Sequence, residues 1–168
     1  NPKLDGTGID SNGGNNYMLQ IGGNYNIFEN FEILFPTGRG VRIYHGLTNY
    51  TTGGSNNTLS YLTVHDTWVH GIMTDAGDGN IYDHCTVYNA CLSNHPYPGS
   101  GGWGGAIAWY GTHQTVRYCT SYHNWCEGLI GMETSYGDVY GNRVWDCWAN
   151  GILLDQVQYY NVHDNFVY

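Results

Sequence analysis

One set of residue types in this 168-residue chain that could do chemistry stands immediately before successive Gly-apolar or Ala-apolar pairs. In chain order the column reads Arg39, His70, Gly105, Glu127 and Asn150. Glycoside hydrolysis normally takes two carboxyl groups roughly 5–9.5 Å apart, and only Glu127 in this column is an acid. A lyase needs a single base, and His70 can act as one near neutral pH. Against both stands a plainer reading, in which these polar residues face solvent beside a turn. Two further acids, Asp75 and Asp155, fall in another outward column, but three repeats separate them, roughly 14 Å at the usual strand spacing. Glu133 lies six residues beyond Glu127 on one strand, roughly 20 Å away if extended. Neither pair reaches hydrolase spacing without rearrangement.

The elements that must position these groups recur every 22–23 residues. First apolar anchors fall at Leu59, Ile81, Val116, Val139 and Val162, with steps of 22, 35, 23 and 23. Second anchors fall at Ile72, Ile107, Leu129 and Ile152, 13 residues after the first except in the lengthened repeat. Such a period indicates stacked supersecondary units, a solenoid in which each repeat contacts its neighbours. Alternation at period two turns Ile72 and Thr74, Ile107 and Trp109, and Ile152 and Leu154 inward. Three residues past the first anchor stand Leu62, His84, Cys119, Asn142 and Asn165, with Asn30 in an earlier coil. Asparagine at such a turn can bond its counterparts above and below, which predicts a polar ladder. Four residues before the second anchor stand Trp68, Trp103, Trp125 and Trp148, as core packing if they face in and as a ligand platform if they face out. Cys91 and Cys126 share one offset in successive repeats, a separation that suits either a disulfide or two buried thiols.

Composition narrows the rest. Glycine (25) and tyrosine (16) abound while charged residues make up 11%, which favours strands broken by turns over helices. A formal charge of −9 with Lys3 as the one lysine argues against nucleic acid or an anionic membrane as partner. No apolar run approaches membrane-spanning length, so no membrane insertion is expected. Export remains compatible with this, since a signal could precede Asn1. The chain reads as one domain over residues 1–168, a fragment or the ordered part of something longer, because solenoids need polar caps and neither end supplies one. Two segments break the period and should project as loops, 45–57 and 92–105. The second carries His95, Tyr97 and Trp103 among Pro and Gly, where aromatics could stack on sugar rings or meet a protein.

In these repeats the chain resembles the right-handed parallel β-helix proteins, the architecture shared by pectate lyases and polygalacturonases. It is most similar to uncharacterised secreted bacterial members with the phrases Asn-Trp-x-Glu-Gly-Ile and Tyr-Leu-Asp, which read here Asn124-Trp-Cys-Glu-Gly-Leu129 and Leu153-Leu-Asp155. The resemblance runs from about Leu4 to Tyr168 and implies an all-β solenoid of about seven coils. It also implies a secreted or cell-surface location. The hydrolases of this kind carry acids just before the Gly-apolar pair, and that pair of acids is missing here. Their lyases use Lys or Arg as base, so an enzyme of this sequence would be a polysaccharide lyase sooner than a glycoside hydrolase. No cofactor or metal is implied, with Ca²⁺ entering only for a lyase. The expectation is a carbohydrate-associated protein whose polysaccharide lies along Arg39, His70 and Glu127 as candidate catalytic residues. Asp75, Tyr97, Trp103, Tyr110 and Asp155 are the flanking candidate contacts. The competing expectation is a structural module of a fibre, sheath or adhesin that self-associates through its coil ends.

Overall fold

The computed structural model describes residues 2–10, 12, 16–35, 37–44, 54–97 and 103–168. Short strands wind through three faces, and every strand pairs in parallel with the one a coil above or below, giving the right-handed parallel β-helix. The first face holds Tyr17–Ile21, Arg39–Ile43, Ile72–Thr74, Gly105–Thr112, the start of Glu127–Tyr140, and Ile152–Asp155. The second holds Ile27–Glu29, Thr58–Ser60, Ile81–Asp83, Thr115–Arg117, the end of Glu127–Tyr140, and Gln158–His163. The third is a separate sheet of seven strands among the described residues, from Lys3–Asp5 to Phe166–Val167. The two longest strands, Gly105–Thr112 and Glu127–Tyr140, run on through the bend and join the first two faces.

The interior is three columns of mainly apolar side chains, each covered by the strands on either side. Val41, Ile72, Ile107, Leu129 and Ile152 are in register on the first face. Ile33, Val64, Val87, Ser121 and Val144 are in register on the third. The second-face column departs from the expected one at a single place. Leu59 pairs with Tyr82, and Tyr82 with Val116, so Tyr82 rather than Ile81 points inward. Its ring is wholly buried, and its hydroxyl meets Thr74 Oγ1 across the core. The 22-residue step to Ile81 concealed this, because the true repeat there spans 23 residues, as the Asn57–Asn80 bond shows. The same slip moves the corner column to Cys85 in place of His84. Val162 holds its register with Val139 but is 46% exposed, being in the last coil.

The Gly of each Gly-apolar pair is needed because the third face packs directly on it. A Cβ on Gly71 would come 2.4 Å from Val87 Cγ1, and one on Gly128 would come 2.4 Å from Val144 Cγ1. The corners need something different, a left-handed residue in every coil. Between the second and third faces these are Asn30, Tyr61, His84, Tyr118, Gly141 and Asp164, with φ from 53° to 66°. Non-glycine residues pay a steric cost there, which stacking offsets: Tyr61 lies on His84 at 4.9 Å and His84 on Tyr118 at 5.0 Å.

Just beyond those corners sits the asparagine ladder. Asn142 Oδ1 accepts the Cys119 N–H at 2.9 Å, while its Nδ2 donates to Val116 O and to Asn165 Oδ1, both at 2.9 Å. A second ladder, not anticipated, climbs the corner between the first and second faces through Asn26, Asn57 and Asn80. Of the two projecting loops, 45–53 and 98–102 lie outside the described residues. Cys91 and Cys126 form a disulfide with a Cα separation of 5.9 Å, which ties the longer loop's base to the next coil. Because Asn142 is wholly buried, Asn142→Leu should destabilise the fold by about 1–3 kcal/mol, the cost of stranding its buried partners. Urea unfolding of the two proteins measures this, and a change near zero would refute the ladder's role.

Candidate functional site

The expected column forms. Tyr17 pairs with Arg39, the Gly40 N–H donates to His70 O at 3.0 Å, and Gly105 pairs with Glu127, so the positions of Tyr17, Arg39, His70, Gly105 and Glu127 stack on successive coils. Within it, however, the side chains divide into two clusters. Gly105 leaves a gap between His70 and Glu127, about 10 Å at two strand spacings.

The first cluster is an open hollow of about 370 Å³ lined by Tyr17, Arg39, Arg42, His70, Met73, Asp75 and Tyr110. Arg39 Nη1 donates to Tyr17 Oη at 3.3 Å, and the guanidinium lies 5.3 Å from that ring's centre. Arg39 has no carboxylate partner among the described residues, and its Nε is buried without an acceptor. Arg42 differs, since Nε and Nη2 both bond Asp75 Oδ2, which commits Asp75 to an internal ion pair. Burial, the largest cause, lifts the Tyr17 hydroxyl above its usual range despite the two arginines, so the phenol is neutral. Tyr110 lies beside Asp75 in the outward column and donates to Met132 Sδ at 3.4 Å. Asp155 is in that same column, exposed, three strands from Asp75.

His70 is 7% exposed, and its Nδ1 accepts the Gly105 N–H at 3.1 Å. Burial and then the Arg39 charge push its pKa down to about 4, so the ring is neutral with its remaining proton on Nε2. A ring so depressed is a weak base, and the nitrogen that would take a proton is already engaged.

The second cluster surrounds Glu127, whose residue is only 1% exposed although it lies just beneath the surface. Burial raises its pKa, its own backbone N–H only partly opposing, and Oε1 has no hydrogen-bond partner. Trp103, Trp125, Trp148 and Asn94 wall a small, almost wholly apolar pocket of about 220 Å³ beside it. The tryptophan column therefore faces outward at this point: Trp103 is 85% exposed and Trp148 54%. Tyr97 is exposed on the loop but lines neither cluster. Sequence reasoning missed Tyr17 and Arg42. Tyr17 had a usable signal, since it precedes Leu19 as Arg39 precedes Val41, but no Gly-apolar pair marks it.

His70 and Glu127 bias stability with pH in opposite directions. The unfolded imidazole takes a proton near 6.5 while the folded one resists to about 4, so the stability due to His70 is whole above pH 6.5 and lost as pH falls toward 4. Glu127, with its raised pKa, is instead relieved by acid. Between pH 7 and pH 4 the native protein should lose about 3 kcal/mol more stability than His70→Gln. Denaturant unfolding at both pH values checks this, and equal losses would contradict it.

Residues 99–168 match a family model described as "Periplasmic copper-binding protein (NosD)". No curated protein and no solved structure matches the chain. The family's periplasmic setting agrees with the secreted or cell-surface location read from the sequence. Among the described residues no three His, Cys, Asp or Glu side chains converge, as a metal site built from those donors would require. Cys91 and Cys126 are bonded to each other, and the Cys119 thiol, beside Cys85 in the core, is held well above its usual range by burial.

Proposed function

We propose that this chain is an exported β-helix that binds an acidic polysaccharide without cleaving it, in the hollow around Arg39. The observation that carries this is the Arg39 guanidinium, without a carboxylate partner among the described residues and set over Tyr17 in an open hollow that Tyr110 also lines. A planar fork of N–H donors matches a carboxylate in two-point contact. Here it is the local positive charge on a chain whose net charge is −9. Tyr17 and Tyr110 supply ring edges and hydroxyls to a sugar, and the neutral His70 fits beside an anion without repelling it. Asp75 completes the hollow by holding Arg42 in place, and it contributes structure more than contact.

The same groups support binding without cleavage. Elimination needs a base that can take a proton, and of the two candidates His70 has its free nitrogen bonded to Gly105 while the Arg39 guanidinium is engaged as a donor to Tyr17 Oη. Hydrolysis needs paired acids, and Glu127 stands without another carboxylate beside it, two strands from His70.

Calorimetric titration with galacturonate oligomers and with uncharged oligomers of equal length tests the reading. The acidic series should bind and the neutral series should be at least tenfold weaker, with no unsaturated product detected by ultraviolet absorbance. Arg39→Ala should weaken the acidic series by about tenfold or more, the worth of one charged hydrogen-bond pair. Equal binding of both series, or an undiminished Arg39→Ala, would reject the hollow as an acid-sugar site.

A further inference from the structure

Aromatic rings line the outside of this solenoid in two different ways, and the difference points to a second site. On the third face Tyr88, Tyr122, Trp145 and Tyr168 are exposed or half-exposed neighbours, with the buried His65 stacked on Tyr88 at 4.7 Å. Tyr88 lies on Tyr122 at 5.0 Å, Tyr122 on Trp145 at 4.7 Å, and Trp145 on Tyr168 at 5.6 Å, all within 14° of parallel. Rings packed this way spend their faces on one another and show only edges to solvent, so the row strengthens the stack and offers little to a ligand.

The indoles around Glu127 behave otherwise. Trp103, Trp125 and Trp148 occupy one register position on three successive coils, yet none stacks on another. Trp125 has an edge contact with His95 at 4.4 Å, and the other two have no ring partner among the described residues. The three indoles thus border one pocket of about 220 Å³ without stacking on one another, with Glu127 as its buried acid.

We propose that Trp103, Trp125 and Trp148 over Glu127 form a binding site for an organic cation of the methylated-ammonium class. The indole faces are the strongest of the aromatic partners for such a cation, and a buried carboxylate lining the same pocket adds charge attraction. A neutral sugar is a poorer occupant. It needs several hydrogen-bond partners around its rim, while this pocket offers an acid and Asn94, whose Nδ2 is already bonded to Trp125 O. A methylated ammonium asks for no hydrogen bonds at all. It would also compensate a buried carboxylate whose Oε1 has no protein partner, a state otherwise costly to maintain. The site stands apart from the Arg39 hollow and does not depend on the polysaccharide reading.

The test is a titration of the whole, disulfide-intact chain with tetramethylammonium chloride, against sodium chloride at equal ionic strength, following the indole N–H resonances of the six tryptophans. Saturable shifts are expected at Trp103, Trp125 and Trp148 and none at the buried Trp109. Glu127→Gln, which keeps the shape, and Trp148→Ala, at an exposed position, should each weaken binding about tenfold. The uncharged analogue 3,3-dimethylbutanol should bind at least tenfold more weakly than the cation. The proposal is overturned by shifts that never saturate, by equal binding of the uncharged analogue, or by an unchanged Glu127→Gln. A neutral oligosaccharide that produced the same shifts and was lost only in Trp148→Ala would give the pocket to sugar instead.

Discussion

The structure depends on amide side chains that bridge one coil to the next at its corners. A strand pairs along its length, but where the chain bends, its N–H and C=O groups lose their strand partners while remaining buried. Asparagine replaces both. Asn57 Oδ1 accepts from the Asn26 backbone and side chain, and its Nδ2 reaches Gly23 O and Asn80 Oδ1. Asn124 accepts the Ala90 N–H across the lengthened repeat, a span of 34 residues. Each such bond fixes the height of one coil on the next, so a loop of any length can leave the stack without shifting the columns.

That fixed height is what assembles the two surface clusters. Tyr17, Arg39 and His70 come from three coils with unequal intervening lengths, yet their positions align because the corners on either side are clamped. His70 contributes a clamp of its own by accepting the Gly105 N–H, which restrains the last residue of the long loop. The disulfide holds the other end of that loop, and Trp103 emerges between the two restraints. Both clusters are therefore built on backbone that the solenoid already orders.

Much of this was legible in the sequence. The period, the Gly-apolar pairs and the Asn142–Asn165 ladder all follow from spacing, and Arg39, His70 and Glu127 fall in one column as their offsets indicate. Ile81 misled because an apolar residue beside the true anchor fitted the period within one position; a buried tyrosine satisfied by Thr74 does not look like an anchor until its partner is known. The ladder through Asn26, Asn57 and Asn80 was hidden for a related reason, since Asn is equally common in exposed turns. Whether the tryptophan column faced in or out could not be read from offset alone. It turns outward because it sits at the corner before the Gly, where alternation is interrupted. The engagement of Asp75 with Arg42 is a contact between coils whose separation of 33 residues matches no repeat of 22–23.

If the corners are what hold the columns in place, the clusters must be ordered before any ligand arrives. Native-state hydrogen exchange of the free protein measures this directly at the amides that side chains, and not strands, accept: Asn57, Ala90, Gly105 and Cys119. The account predicts that these four exchange as slowly as the interior strand amides of Ile107 and Leu129, with the free energy of global unfolding. Exchange at the rate of an open loop, while the strands stay protected, would contradict it.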